Sequence, residues 1–194
     1  MKAFEEKKIS LDQKLSEFYP EIPNAENISI ENLLQHRTGI HNLTSEAEFW
    51  QYNTKPQTES SLISIIKKYK SDFEPGSKHE YSNSNYILLG FILEKIYKKP
   101  YAVLLKDKIT KPLKLTFTEV GGKIDPSKDQ AKAYQYINGK YVVSSETDMS
   151  IPIGAGNIIS TPRDLLTFIL GLENGKLVKK SSLEKMKTFV DDYG

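Results

Sequence analysis

The sequence predicts an α-rich α+β fold with at least one β-hairpin, and three observations carry that prediction. The run "YILLGFILEKIYKK" from Tyr86 is apolar on nearly every face through Leu93, as a buried helix must be. The passage "STPRDLLTFILGLENG" holds a complete set of helix start and stop signals. Asn138-Gly139 interrupts an alternating stretch, "AYQYINGKYVV", in the manner of a two-residue hairpin turn.

The elements follow in order. "MKAFEEKK" reads as the last turns of a helix with no capping residue ahead of it, so a truncated start is expected. Pro20 and Pro23 punctuate a loop. Ser29 caps a short helix, "IENLLQHR", with Gly39 as its left-handed terminal residue. Ser45 and Glu48 pair as a capping box before "FWQY". "TESSLISIIKKYK" places Leu62, Ile63, Ile65 and Ile66 on a helix ending in positive charge, which suits the negative end of its dipole. Pro75-Gly76 then breaks the chain before the long apolar helix, where Gly90 permits a close backbone approach. In the later helix Thr161 is the cap, Pro162 the first residue and Gly175 the residue past the end. A final short helix starts on the capping box Ser181 to Glu184 and runs towards Val190.

Composition excludes several function classes. The 27 basic and 25 acidic residues are interspersed, and Arg37 and Arg163 are the only arginines, so the clustered cations of a nucleic-acid footprint are missing. Without cysteine there is no thiolate zinc site and no cysteine nucleophile. His36, His41 and His79 are scattered without metal-ligand spacing, and Gly121-Gly122-Lys123 lacks a phosphate-loop pattern, so neither metal nor cofactor is expected. No window reaches the ~18 apolar residues of a membrane span.

Nucleophile candidates are poor. An S-x-x-K pair sets a hydroxyl one helical turn from an amine that helps take its proton. Ser64 with Lys67 and Ser182 with Lys185 match, but 18 serines and 25 lysines supply about two such pairs by chance. Ser64 sits in mid-helix, where the backbone N–H groups are spent and no oxyanion hole is available. Ser182 lies beside a residue that already serves as a cap.

Tyr81-Ser82-Asn83 is the better chemical candidate. A tyrosine on a turn leading into a buried helix is a plausible general base, because lysine charge nearby lowers a phenol from its ordinary pKa of about 10. Asn83 would offer a carboxamide to orient a lysine and hold a substrate amide. The bland alternative is a turn whose Asn83, Ser84 or Asn85 caps the following helix.

The surroundings of this tripeptide favour the first reading. "EEKKISLDQKLSEFYPEIP", "ISIENLLQHRTGI", "FEPGSKHEYSNSNYILLGFILEKIYKKPY", "ITKPLKLTFT" and "GAGNIISTPRDLLTFILGLENGKLV", in this order and spacing, resemble the serine β-lactamase-related family of class C β-lactamases, DD-peptidases and esterase-like hydrolases. The resemblance covers nearly the whole chain. It implies the β-lactamase/transpeptidase-like fold, in which an S-x-x-K helix, a Y-x-N loop and a K-T-G or H-x-G strand meet in one cleft. It maps the Y-x-N loop onto Tyr81 as general base or proton shuttle and Asn83 as positioning group. No catalytic role is carried onto His36 or Gly39.

The other two motifs are not matched: the family's S-x-x-K lies upstream of the block "EEKKISL", and neither K-T-G nor H-x-G occurs. The resemblance therefore implies residues 1–10 as the tail of the nucleophile helix, 11–160 as the helical domain, and 161–194 as helices leading back to an incomplete α/β domain. It implies a small-molecule acyl substrate in a longer protein, no acyl transfer by this chain alone, and an extracytoplasmic home for the parent. The missing segments acting as a complementing chain, or a non-catalytic binding module, are the alternatives.

Overall fold

The structure is a computed structural model and describes residues 1–190; Asp191–Gly194, the end of the region expected to lead into an α/β domain, lie outside the described residues. The chain enters on α1 (Lys2–Glu5), which stops where Lys7 turns left-handed at φ 55°. A 3-10 turn, Leu15–Glu17, follows, and Lys14 bridges to Ser29. Ser29 caps α2 (Ile30–Leu34), its hydroxyl accepting from Asn32 N. The helix ends earlier than the sequence predicts. His36, at φ 55°, takes the left-handed position, and Gly39, at φ 73°, makes a separate turn. Only glycine fits there, since a Cβ would collide with the carbonyl oxygen of Phe73.

The expected Ser45–Glu48 capping box does not form. Leu43–Ser45 is a 3-10 turn capped by Asn42, whose amide donates to Ser45 Oγ, and α3 (Phe49–Tyr52) begins without a side-chain cap. Thr58 caps α4 (Glu59–Ile66). The long helix α5 (Asn83–Tyr97) starts at Asn83, three residues before the apolar run, and ends where Lys98 turns left-handed. Next, α6 (Tyr101–Leu105) passes through a π-helical turn, Lys106–Thr110, into α7 (Lys111–Leu113). The widened turn lies just ahead of Pro112, which has no N–H to return to it.

Strand content is small. Glu119–Val120 (β1) pairs antiparallel with a strand much later in the chain, while Tyr134–Ile137 (β2) and Lys140–Val143 (β3) form the predicted hairpin. Asn138 and Gly139 both have positive φ, 49° and 80°, as a type I′ turn requires. Every residue of its two strands is exposed. The partner of β1 is β4 (Ile158–Ile159). Thr161, Pro162 and Gly175 bound α8 (Pro162–Glu173) as the sequence predicts. The last helix, α9 (Lys180–Lys187), starts one residue before Ser181 and has no side-chain cap, so the second capping box is also absent.

The main core forms around α5. Ile87, Leu88 and Ile92 are fully buried in one cluster with Leu15, Ile28, Leu33, Leu62 and Ile66. Each such side chain contributes about 1.5–3 kcal/mol on burial. Gly90 lets the segment at Ile153 and Gly154 lie directly on the helix: a Cβ on Gly90 would stand 3.0 Å from the Ile153 carbonyl oxygen. A smaller core joins Leu113 and Leu115 to Leu177, Val178 and Leu183. Helix α8 borders it through Phe168, Leu172 and Gly171, the last pressed against Leu113. Its opposite face, Leu165, Leu166, Ile169 and Leu170, is half exposed.

Candidate active site

Tyr81 and Asn83 stand where α5 begins, and the first four residues of that helix need hydrogen-bond partners that a helix cannot supply itself. Ser82, the residue in the cap position, offers no side-chain bond. The cap comes from elsewhere: Asn42 Oδ1 accepts from Asn83 N at 3.1 Å. A backbone N–H can only donate, so this contact fixes which end of the Asn42 amide faces Asn83. The same oxygen then accepts from Asn83 Nδ2 at 3.3 Å, and Thr44 Oγ1 accepts from that nitrogen at 3.1 Å. With its nitrogen thus directed, Asn83 presents Oδ1 to the Tyr81 hydroxyl, which donates to it at 3.1 Å.

Ser84 and Asn85 are not caps. Both are fully buried inside the first turn and bond back to the segment between α2 and α3. Ser84 Oγ donates to His41 O at 2.7 Å and accepts from Leu43 N at 3.1 Å, while Thr38 Oγ1 donates to Asn85 Oδ1 at 2.7 Å. The heptapeptide His79–Asn85 is therefore locked to residues 36–44.

His36 supports the tyrosine from behind. Its ring lies 4.5 Å from that of Tyr81 and stacks on Tyr86 at 5.0 Å. Its Nδ1 accepts from Ser82 N at 3.2 Å and faces Asn85 Nδ2 at 3.3 Å, so the neutral ring carries its proton on Nε2. Burial, and secondarily His79, push the His36 pKa below the ordinary histidine value. Tyr81 is 59% exposed, so a bound molecule has access to its side chain. Lys78, the nearest lysine in sequence, is engaged with Glu80 at 2.8 Å.

The serine candidates lie apart from this arrangement. Ser64 is exposed in the middle of α4. Ser182 is buried, and its hydroxyl, together with Lys179 N–H, is bonded to Glu5, which holds that carboxyl below the usual range. Its role is to fasten α9 to α1. A second Y-x-N, Tyr136-Ile137-Asn138, sits on the exposed hairpin with Asn138 in the turn. Among the described residues no group of three His, Cys, Asp or Glu is placed to hold a metal ion, and no helix is long and apolar enough to cross a membrane.

Asn42, Thr44 and His36 escape a reading of motifs. The signal available for them is a polar run, "QHRTGIHNLTS", too rich in hydrogen-bonding groups for an ordinary helix-to-helix connection.

This constellation, a Y-x-N turn capped from the preceding loop at the start of a buried helix, defines a β-lactamase/transpeptidase-like helical scaffold. A D-stereospecific amidohydrolase from Streptomyces sp. superposes with a TM-score of 0.85 and 31% identity, over 97% of this chain and 60% of that one. The D-amino acid amidase of Ochrobactrum anthropi SV3 in complex with D-phenylalanine gives 0.81 and 25%, over 94% and 54%. In sequence, the teichoic acid D-alanine hydrolase of Staphylococcus aureus is 27% identical over 173 residues, 89% of this chain and 42% of that protein. The Beta-lactamase family model matches residues 1–191, and the chain belongs to that family. It spans less than half the length of this curated relative.

Proposed function

We propose that this chain is the helical part of a serine hydrolase that cleaves acyl bonds of D-amino-acid derivatives, esters or amides, with Tyr81 as the proton shuttle and Asn83 as its positioning group. The Tyr81 hydroxyl bond to Asn83 Oδ1 carries the reading, because it aims the phenol from a carboxamide whose own nitrogen is doubly tied down. Three relatives whose names specify a D-amino-acid or D-stereospecific substrate support the substrate class. The cell-envelope polymer in the name of one of them supports an extracytoplasmic home. Both protons of the Asn83 amide are engaged within the protein, so Asn83 acts through Oδ1, on Tyr81 and on a lysine facing its second lone pair.

In the reaction, a serine oxygen forms a bond to the substrate carbonyl carbon as its proton passes to a basic group served by Tyr81. The bond to the leaving alcohol or amine then breaks as that group takes up the proton. Water reverses the sequence and frees the acid. The serine, its S-x-x-K lysine and the K-T-G or H-x-G strand are not matched within the 194 residues, so the chain by itself performs no acyl transfer. On this reading residues 1–10 are the tail of the nucleophile helix, 11–160 the helical domain and 161–194 the return towards an α/β domain supplied by further chain.

Intact mass after incubation with a fluorophosphonate or penicillin is expected to show no adduct on the 194-residue chain; a stoichiometric adduct on Ser64 or Ser182 overturns the reading. In a longer form carrying the two other motifs, Tyr81→Phe is expected to lower kcat about 10²–10⁴-fold, the usual worth of a positioned proton carrier. Wild-type activity in that variant removes Tyr81 from the mechanism.

A further inference from the structure

The loop that holds Asn83 is itself fastened by a histidine between two carboxylates. His41 Nδ1 lies 3.0 Å from both oxygens of Asp72, and Nε2 lies 2.9 Å from Glu46 Oε1. A neutral imidazole has one N–H and an ionised carboxylate has none, so only the imidazolium satisfies both contacts at once. The backbone around it reaches the candidate site directly: His41 O accepts from Ser84 Oγ, and the next residue is Asn42, the cap of α5. Asp72 belongs to the segment after α4, whose backbone N donates to Gly39 O at 2.8 Å. The histidine thus ties the loop bearing Asn42 and Thr44 to a neighbouring segment through a bond that depends on its charge.

We propose that His41 is a positioning residue for Asn83: as the imidazolium it bridges Glu46 of its own loop to Asp72 of the segment after α4 and keeps the Asn42 and Thr44 acceptors on Asn83, and loss of one proton loosens that hold. The proposal rests on the functional reading of Asn83 given above.

The groups facing the ring favour a charged histidine. Glu46 comes from its own loop, and Asp72 and the Tyr69 ring, 4.8 Å away, come from the segment after α4. Behind Tyr69, the charge of Lys68 is matched by Glu48 at 2.7 Å. Burial pulls the His41 pKa down, but the bonds and charges of Asp72 and Glu46 outweigh it and the net shift is upward. With the ordinary value near 6.5, the change of state is displaced above it.

The test is an NMR titration of the isotope-labelled 194-residue chain between about pH 5 and 9, following the His41 ring and the Asn83 backbone and side-chain amides. The resonances of Asn83 are expected to shift with the His41 midpoint, and its amide protection to fall severalfold as His41 loses its proton. Asp72→Asn is expected to lower the His41 midpoint and to move the Asn83 inflection by the same amount; His41→Gln is expected to abolish the inflection. A thermal melt confirms that each variant is folded, and Asp72→Asn, which keeps shape and size, serves if the histidine variant is not.

Asn83 resonances that stay flat through the His41 transition overturn the proposal, as does an inflection that persists in His41→Gln. Since no substrate is involved, a flat titration withdraws the coupling alone. Full activity of Tyr81→Phe in a longer protein withdraws the functional reading and leaves the measured coupling in place.

Discussion

The side-chain oxygen of Asn42 accepts from the backbone nitrogen of Asn83 across 41 residues of chain, and so caps a helix to which it does not belong. Helix caps of this type contribute about 0.5–2 kcal/mol. Asn42→Ala strips the acceptor from the backbone and side-chain nitrogens of Asn83 together, so a loss near the top of that range is expected, read as a lower urea midpoint at unchanged slope. Thr44→Val, which removes one of the two contacts to the Asn83 amide, should cost less.

The glycine pair under α5 separates two backbone demands. Alanine at Gly90 gains about 1 kcal/mol of helix propensity but meets Ile153, and overpacking of about 1–3 kcal/mol wins, so a net loss is expected. Gly154, at φ 70°, would place a Cβ 2.6 Å from Tyr86 O. There the left-handed cost of about 1–2 kcal/mol adds to the clash, and Gly154→Ala should be the more damaging of the two by chemical denaturation.

His36 and His41 impose opposite pH dependences. His36 is held neutral by burial, with His79 adding to the effect, so its folded pKa lies below that of the unfolded chain. As pH falls from about 6.5 the unfolded chain takes up a proton that the folded chain refuses, and stability drops until the folded pKa is passed. His41, raised in the folded state, contributes below about 6.5 and loses its contribution as pH climbs through its higher folded value. His36→Asn keeps a side chain tolerant of positive φ and should flatten the acid limb of a plot of urea midpoint against pH. A limb unchanged in the variant would show that His36 does not titrate across that range.

The outer face of α8 is an exposed apolar surface. Leu165, Leu166, Ile169 and Leu170 are each between 51% and 60% exposed on one side of a single helix. The 194-residue chain should therefore enhance the fluorescence of an apolar dye and self-associate on size exclusion. The double variant Leu166→Lys, Ile169→Lys is expected to reduce both while shifting the unfolding free energy by no more than about 0.5 kcal/mol per site. A large loss of stability would show that this face is packed.

What was legible in the sequence was chiefly what neighbouring residues decide. Thr161, Pro162 and Gly175 bounded α8, Asn138-Gly139 fixed the hairpin, and the glycine at position 90 marked a close approach. Predictions failed where a distant segment took over a local role. Ser45 and Ser181 have the spacing of caps, but Asn42 caps the first turn and Ser182 is turned inward to Glu5. Ser84 and Asn85 also read as caps, yet their side chains are spent on residues 38–43. The tyrosine and asparagine of the candidate site were found through family resemblance. Their supporting shell was not, because nothing in the local pattern of "HRTGIHNLTS" announces which helix it will meet.

The bonds between residues 36–44 and 82–85 bear on how the chain reaches its fold. A helix with its own cap can form its first turn from nearby residues, whereas α5 must wait for a loop of about forty residues to close before its first donors are satisfied. The apolar middle of α5 is thus able to gather the core ahead of its own beginning. Tyr81 and Asn83 are brought together in the step that closes the loop, so a slow loop closure delays the candidate site even when most of the core is already in place.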